Sequence, residues 1–69
     1  MKIVYSDHAE KRLRQRGITT LEIDHVLKYP IYVKKSYEGR KEAVGEVRNR
    51  TVKIAFEERE NYINIISVM

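Results

Sequence analysis

The chain predicts an α+β domain: an N-terminal strand, then a two-helix hairpin packed on one face of a three- to four-stranded antiparallel sheet. Three observations predict it. Apolar residues recur at helical spacing only between residues 7 and 28. After Pro30 the apolar period changes to two. The helical and strand patterns are segregated along the chain, which argues against an alternating α/β fold. At 69 residues the whole chain, 1–69, is a single domain with a small core.

Each element has a local reason. Ile3, Val4 and Tyr5 open the chain as a short strand. Asp7 followed by Glu10 fits a capping box, with Ser6 as the rival N-cap. The first helix then runs to Arg16, with Ala9 and Leu13 as a thin apolar face and Gly17 as the stop. Thr19 and Glu22 form a second capping box. The second helix spans residues 20–28, buries Ile23, Val26 and Leu27, and ends before Pro30. A link this short predicts a tight αα-hairpin.

The strand half follows. Residues 31–36 alternate, and Glu38-Gly39 marks a turn. Residues 40–48 read as a polar strand in which Gly45 predicts a bulge. Asn49 sits in a hairpin turn, and Val52, Ile54 and Phe56 place one apolar face on the next strand. Residues 57–61 read as a charged loop. Residues 62–69 are apolar on both faces, which suits a central strand or an exposed edge that meets a partner.

Composition narrows the function classes. There is no cysteine, so disulfide scaffolds and cysteine nucleophiles are excluded. No phosphate-binding glycine loop, zinc-ligand spacing or nucleophile elbow is present, so neither a cofactor nor a metal is expected. No apolar run approaches the length of a membrane span, and no signal-like leader opens the chain, so no membrane partner and a cytoplasmic location are expected. So small a core favours a homodimer or an obligate complex.

The net charge of +4 is unevenly spread: residues 1–17 and 32–50 each carry a net +3, and the other two segments −1 each. Two basic blocks of this kind suit phosphate contacts. In the first, His8, Arg12 and Arg16 are spaced four apart, which stacks an imidazole and two guanidiniums along nearly one helix face. Neither arginine has a carboxylate four residues before it, whereas Arg14 has Glu10. The arginines suit a phosphate in fork geometry, and a neutral imidazole at His8 suits proton removal from a ribose 2′-hydroxyl. The second block is Lys34, Lys35, Arg40, Lys41, Arg48 and Arg50 with Tyr32 and Tyr37 interleaved, a pattern suited to base stacking beside phosphate contacts. Tyr62 and Asn64 share a strand face that Lys53 of the neighbouring strand is positioned to join.

The pattern H-A-x-x-R-x-x-x-R-G-I, as His8, Ala9, Arg12, Arg16, Gly17 and Ile18, followed by Leu27, Pro30 and a β-rich tail, resembles small domains of the RelE/ParE-like toxin superfamily and is similar to BrnT-type toxins. The resemblance implies two helices on an antiparallel sheet. It implies a metal-independent endoribonuclease (an mRNA interferase) that cleaves free or ribosome-bound mRNA, and a cognate acidic antitoxin that blocks the site. His8, Arg12 and Arg16 carry over by motif. Tyr62, Lys53, Arg48 and Arg40 are offered by residue type as the sheet residues such enzymes use. The expected catalytic set is therefore His8, Arg12, Arg16 and Tyr62, and the expected nucleic-acid contacts are Lys34, Lys35, Arg40, Lys41, Arg48 and Lys53. The alternatives are a non-catalytic RNA- or ribosome-binding module, and an adaptor that meets an acidic protein through the last strand.

Overall fold

The computed structural model describes residues 2–36 and 38–69; the stacking role expected of Tyr37 falls outside them. The elements are β1 (Lys2–Tyr5), α1 (Asp7–Arg16), α2 (Thr20–Lys28), β2 (Tyr32–Lys35), β3 (Arg40–Val47), β4 (Arg50–Glu58) and β5 (Tyr62–Val68). The α+β class and both helices stand where the patterns put them. The sheet is larger than expected and mixed. Its order is β1-β5-β4-β3-β2, with β1 parallel to β5 and every other neighbour antiparallel.

Ser6, not Asp7, caps α1. Its backbone N–H donates to the Ile65 carbonyl at 3.0 Å, which fixes it to β5 before the helix begins. Its Oγ accepts from the Ala9 N–H at 3.0 Å and donates to the Ile66 carbonyl at 2.9 Å. One hydroxyl thus serves both the helix start and the sheet, where a cap alone contributes about 1 kcal/mol. Asp7 falls in the first turn, where a carboxylate faces the positive helix end. At the other end Gly17 takes the left-handed conformation at φ 65°, and the Ile18 N–H reaches the Leu13 carbonyl at 3.0 Å. That geometry buries Ile18 against the core.

The expected capping box of α2 is complete. Thr19 Oγ1 accepts from the Glu22 N–H, and Glu22 Oε1 accepts from the Thr19 N–H at 2.8 Å. Glu22 also holds Arg48, whose Nε lies 2.6 Å from Oε2 and whose Nη2 lies 3.1 Å from Oε1. Arg48 Nη2 further reaches the Gly17 carbonyl at 3.3 Å, and Arg50 Nη1 donates to the Arg16 carbonyl at 2.8 Å. Arg48 and Asn49 form a two-residue turn with φ 49° and 62°, the twist a tight hairpin needs. The β3–β4 hairpin therefore carries two guanidiniums onto the carbonyls that end α1.

Both helices lie on one face of the sheet. Registers place Ile3, Ile63, Ile65, Ile54, Val52 and Ala43 on that face. Ile23, Val26, Ala9 and Leu13 close over them. Each Ile or Val fully removed from water here contributes about 1.5–3 kcal/mol. The last strand is central and not an edge, because β1 pairs along its outer side. The bulge expected at Gly45 lies elsewhere: the β4–β5 register shifts between Ala55 and Phe56, leaving Ile66 unmatched. Gly45 sits in regular ladder opposite Val52. Its missing side chain serves α2, because a Cβ there would stand 2.9 Å from Val26 Cγ1. The charged loop is also shorter than expected. Glu57 and Glu58 belong to β4, where they pair with Arg40 and Lys41 of β3.

Two outcomes follow for stability. Gly45→Ala forces α2 away from β3 and costs about 1–3 kcal/mol in denaturant unfolding. Val26→Ala in the same chain frees that space, so the double variant loses clearly less than the two single losses combined; additive losses contradict the close contact. The second concerns acid. The Thr19 N–H, and after it Arg48, hold the Glu22 carboxyl below the usual carboxylate range. Its contribution is complete above the ordinary value of about 4.3 and disappears as pH falls through the lowered one. Glu22→Gln therefore flattens the acid limb of the stability curve below that value, and an unchanged limb contradicts the assignment.

Candidate nucleic-acid interface

Helical geometry divides the expected stripe. Each step of four residues advances about 40° around the axis, so Arg16 stands about 80° from His8. The structure accordingly groups His8 and Arg12 with Lys11 and Gln15, which together line an open depression of about 260 Å³ on one flank of α1. Arg16 does not line it; its side chain is exposed near the helix end. His8 and Lys11 are exposed and Arg12 is half-buried. Among the described residues, no hydrogen bond or ion pair engages the side chains of His8, Lys11, Arg12, Gln15 or Arg16. No ion pair joins Arg14 to Glu10, which stand on the other flank beside Tyr5. Lys11 and Gln15 were missed by reading the sequence in steps of four. The i, i+3, i+4, i+7 pattern from His8 contains both.

The sheet cations have mostly been neutralised. Lys34 lies 3.5 Å from Glu42, Arg40 Nε 3.7 Å from Glu57, and Lys41 2.5 Å from Glu58. Arg48 is held by Glu22 and Gly17 and is a brace between hairpin and helices, not a free phosphate contact. Exposed pairs of this kind add at most about 1 kcal/mol each, but they cancel the charge an anion would seek. Lys35 and Lys53 have no ion pair among the described residues. Lys35 lies with Arg40 and Lys41 at the β2–β3 turn around a depression of about 240 Å³. That turn belongs to the β2 side of the sheet, whereas α1 packs on β5 and β1.

Tyr62 is also set apart. It pairs with Lys2 and alternates with Ile63, so it projects from the sheet face opposite the helices. Lys53 shares that face but is level with Met69, at the far end of β5. The separation along the strand is roughly 20 Å. The expected catalytic set of His8, Arg12, Arg16 and Tyr62 is therefore not one cluster, and Lys53 does not join Tyr62. The helix stripe and the sheet cations do not line a common hollow.

A larger hollow of about 630 Å³ lies between α1 and the start of α2, lined by Tyr5, Leu13, Ile18, Thr20, Glu10 and Arg14. It is largely apolar. Burial, with Asp24 adding to it, pushes the Tyr5 phenol above its ordinary value, so Tyr5 stays protonated at neutral pH. Its chemistry does not suit a phosphate. Among the described residues no group of His, Asp or Glu is arranged to hold a metal ion, and no helix is long and apolar enough to cross a membrane.

No curated protein and no solved structure matches this chain. Residues 5–69 match a family described as a domain of unknown function, DUF4258, which takes in everything from Tyr5 at the end of β1 to the last residue. With α1, α2 and four of the five strands inside that match, the chain belongs to the DUF4258 family.

Proposed function

We propose that the protein binds RNA through the outward flank of α1. The observation that carries this reading is the contrast between two sets of cations. Lys11 and Arg12 share a depression with His8 and Gln15 and face no carboxylate among the described residues. Lys34, Arg40, Lys41 and Arg48 each have a glutamate partner. Free cations release counterions on meeting a phosphate chain, whereas paired ones must first give up their glutamate. Arg12 supplies a fork for phosphate oxygens, Lys11 a mobile point charge, and Gln15 a neutral donor and acceptor. Such a role fits a cytoplasmic protein.

The placement of His8 beside Arg12 favours a second reading, the toxin-like endoribonuclease. In it Arg12 holds the scissile phosphate and His8 takes the proton from the 2′-hydroxyl. The 2′-oxygen bonds to phosphorus, the 5′-oxygen leaves with a proton, and a cyclic phosphate remains. Arg16 and Tyr62 are outside this depression, so this reading assigns the chemistry to His8 and Arg12 alone.

Fluorescence anisotropy with a single-stranded RNA oligonucleotide tests the binding. Arg12→Ala and Lys11→Ala each weaken it at every sequence and lower the salt slope by about 1, while Lys34→Ala and Arg48→Ala leave the slope nearly unchanged. Equal affinity and slope for wild type and the α1 variants overturn the proposal. Incubating the same RNA with protein in EDTA separates the two readings. Product formation lost in His8→Ala supports the nuclease, and binding without product leaves an RNA-binding module.

A further inference from the structure

The hollow between the helices forms a second surface, independent of the RNA reading. It opens on the flank of α1 opposite Lys11 and Arg12, with Tyr5, Leu13 and Ile18 among its lining. Two residues along β1 from Tyr5, Ile3 joins Leu27 and Ile63 in lining a further depression of about 360 Å³. Tyr5, Ile3, Leu27 and Ile63 are each only half-buried. Leu21 is 78% exposed, more than any other large apolar side chain among the described residues. It precedes Asp24 by three residues and Lys28 by seven, so the three form one row on the flank of α2 that borders the depression. Thr20, beside Leu21, lines the larger hollow.

Four charged residues frame this apolar surface. Glu10 and Arg14 stand on the α1 wall, and Asp24 and Lys28 on the α2 wall. None of the four has an ion pair among the described residues. Their order matters. Moving away from the junction at residues 17–19, α1 presents Arg14 and then Glu10, whereas α2 presents Asp24 and then Lys28. One wall thus reads positive then negative, and the other negative then positive.

That order selects the occupant. The frame is neutral, so it attracts neither a polyanion nor a partner of one sign, and a chain of net charge +4 meets a second copy there without net repulsion. A two-fold axis bisecting the helices lays α1 of each copy on α2 of the other, junction beside junction. Arg14 then faces Asp24 of the second copy and Glu10 faces its Lys28, each contact occurring twice. Leu21, close to the junction, comes over the apolar hollow of the other copy. We propose that two copies of this chain associate through this face, with Leu21 of each seated in the hollow of the other and the four framing charges paired between copies.

Sedimentation equilibrium of the full chain over a concentration series tests this, and a monomer–dimer equilibrium is the expected result. Leu21→Glu weakens the dimer at least about tenfold. The circular dichroism spectrum stays unchanged, because Leu21 lies outside the core. Glu10→Lys and Lys28→Glu, both at exposed positions, each weaken self-association by setting like charges against each other twice. An equimolar mixture of these two variants restores the dimer, because each copy then supplies the charge the other lacks. Mixing Glu10→Lys with Lys11→Glu, altered on the opposite flank of α1, gives no such rescue. A monomer at every concentration, a dimer indifferent to Leu21→Glu, or a mixture of Glu10→Lys and Lys28→Glu no tighter than either variant alone each overturn the proposal. If Leu21→Glu disturbs the fold, the mixing experiment decides the matter.

Discussion

Two helices of ten and nine residues cover only one face of a five-stranded sheet, and this one-sided burial governs the rest of the molecule. On the covered face the apolar residues of all the inner strands converge. Gly45 lets Val26 settle directly on the β3 backbone, and Ser6 ties the start of α1 to the carbonyls beside the β5 bulge. The other face has no layer over it. It must be compatible with water, and there Lys34 stands opposite Glu42 and Arg40 opposite Glu57, while Lys53 stands opposite Val44.

Both faces of the sheet contribute to the distribution of free charge, since Lys41 and Glu58 share the helix-bearing side. Cross-strand pairing consumes Lys34, Arg40 and Lys41 against Glu42, Glu57 and Glu58. The β3–β4 hairpin spends Arg48 and Arg50 on the helix junction, one on Glu22 and both on carbonyls at the end of α1. Besides Lys35 and Lys53, which lie on separate parts of the sheet, the flank of α1 stays available: among the described residues no carboxylate pairs with Lys11 or Arg12, and the two share one depression. Of the two basic blocks that the sequence carries, the fold pairs off most of the second and leaves Lys11 and Arg12 of the first together.

The helices were legible because their determinants are local. Thr19 and Glu22 cap each other within three residues, Gly17 needs only its own φ, and Ile23, Val26 and Leu27 repeat at helical spacing. The sheet was legible in its antiparallel part, where Asn49 and the alternation of Val52, Ile54 and Phe56 mark a hairpin. What the residues did not reveal is long-range. Nothing near β1 announces that it will pair with β5, sixty residues away. The role of Gly45 depends on Val26 of another element. Glu57 and Glu58 read as loop because their partners, Arg40 and Lys41, lie on a neighbouring strand. The site was half legible for the same reason. Helical spacing brought His8 and Arg12 together, but only the sheet register shows that Tyr62 projects from the far face and that Lys53 stands at the other end of its strand.

The central claim is that the flank of α1, where Lys11 and Arg12 stand together without an ion pair among the described residues, is the surface that meets a polyanion. Chemical-shift mapping by two-dimensional NMR, with a short RNA oligonucleotide added to the intact chain at low salt, tests it most directly. The account predicts shifts concentrated at His8, Lys11, Arg12 and Gln15, with Lys34, Arg40 and Lys53 unmoved. Shifts centred on the open face of the sheet, or on the β2–β3 turn, would contradict it.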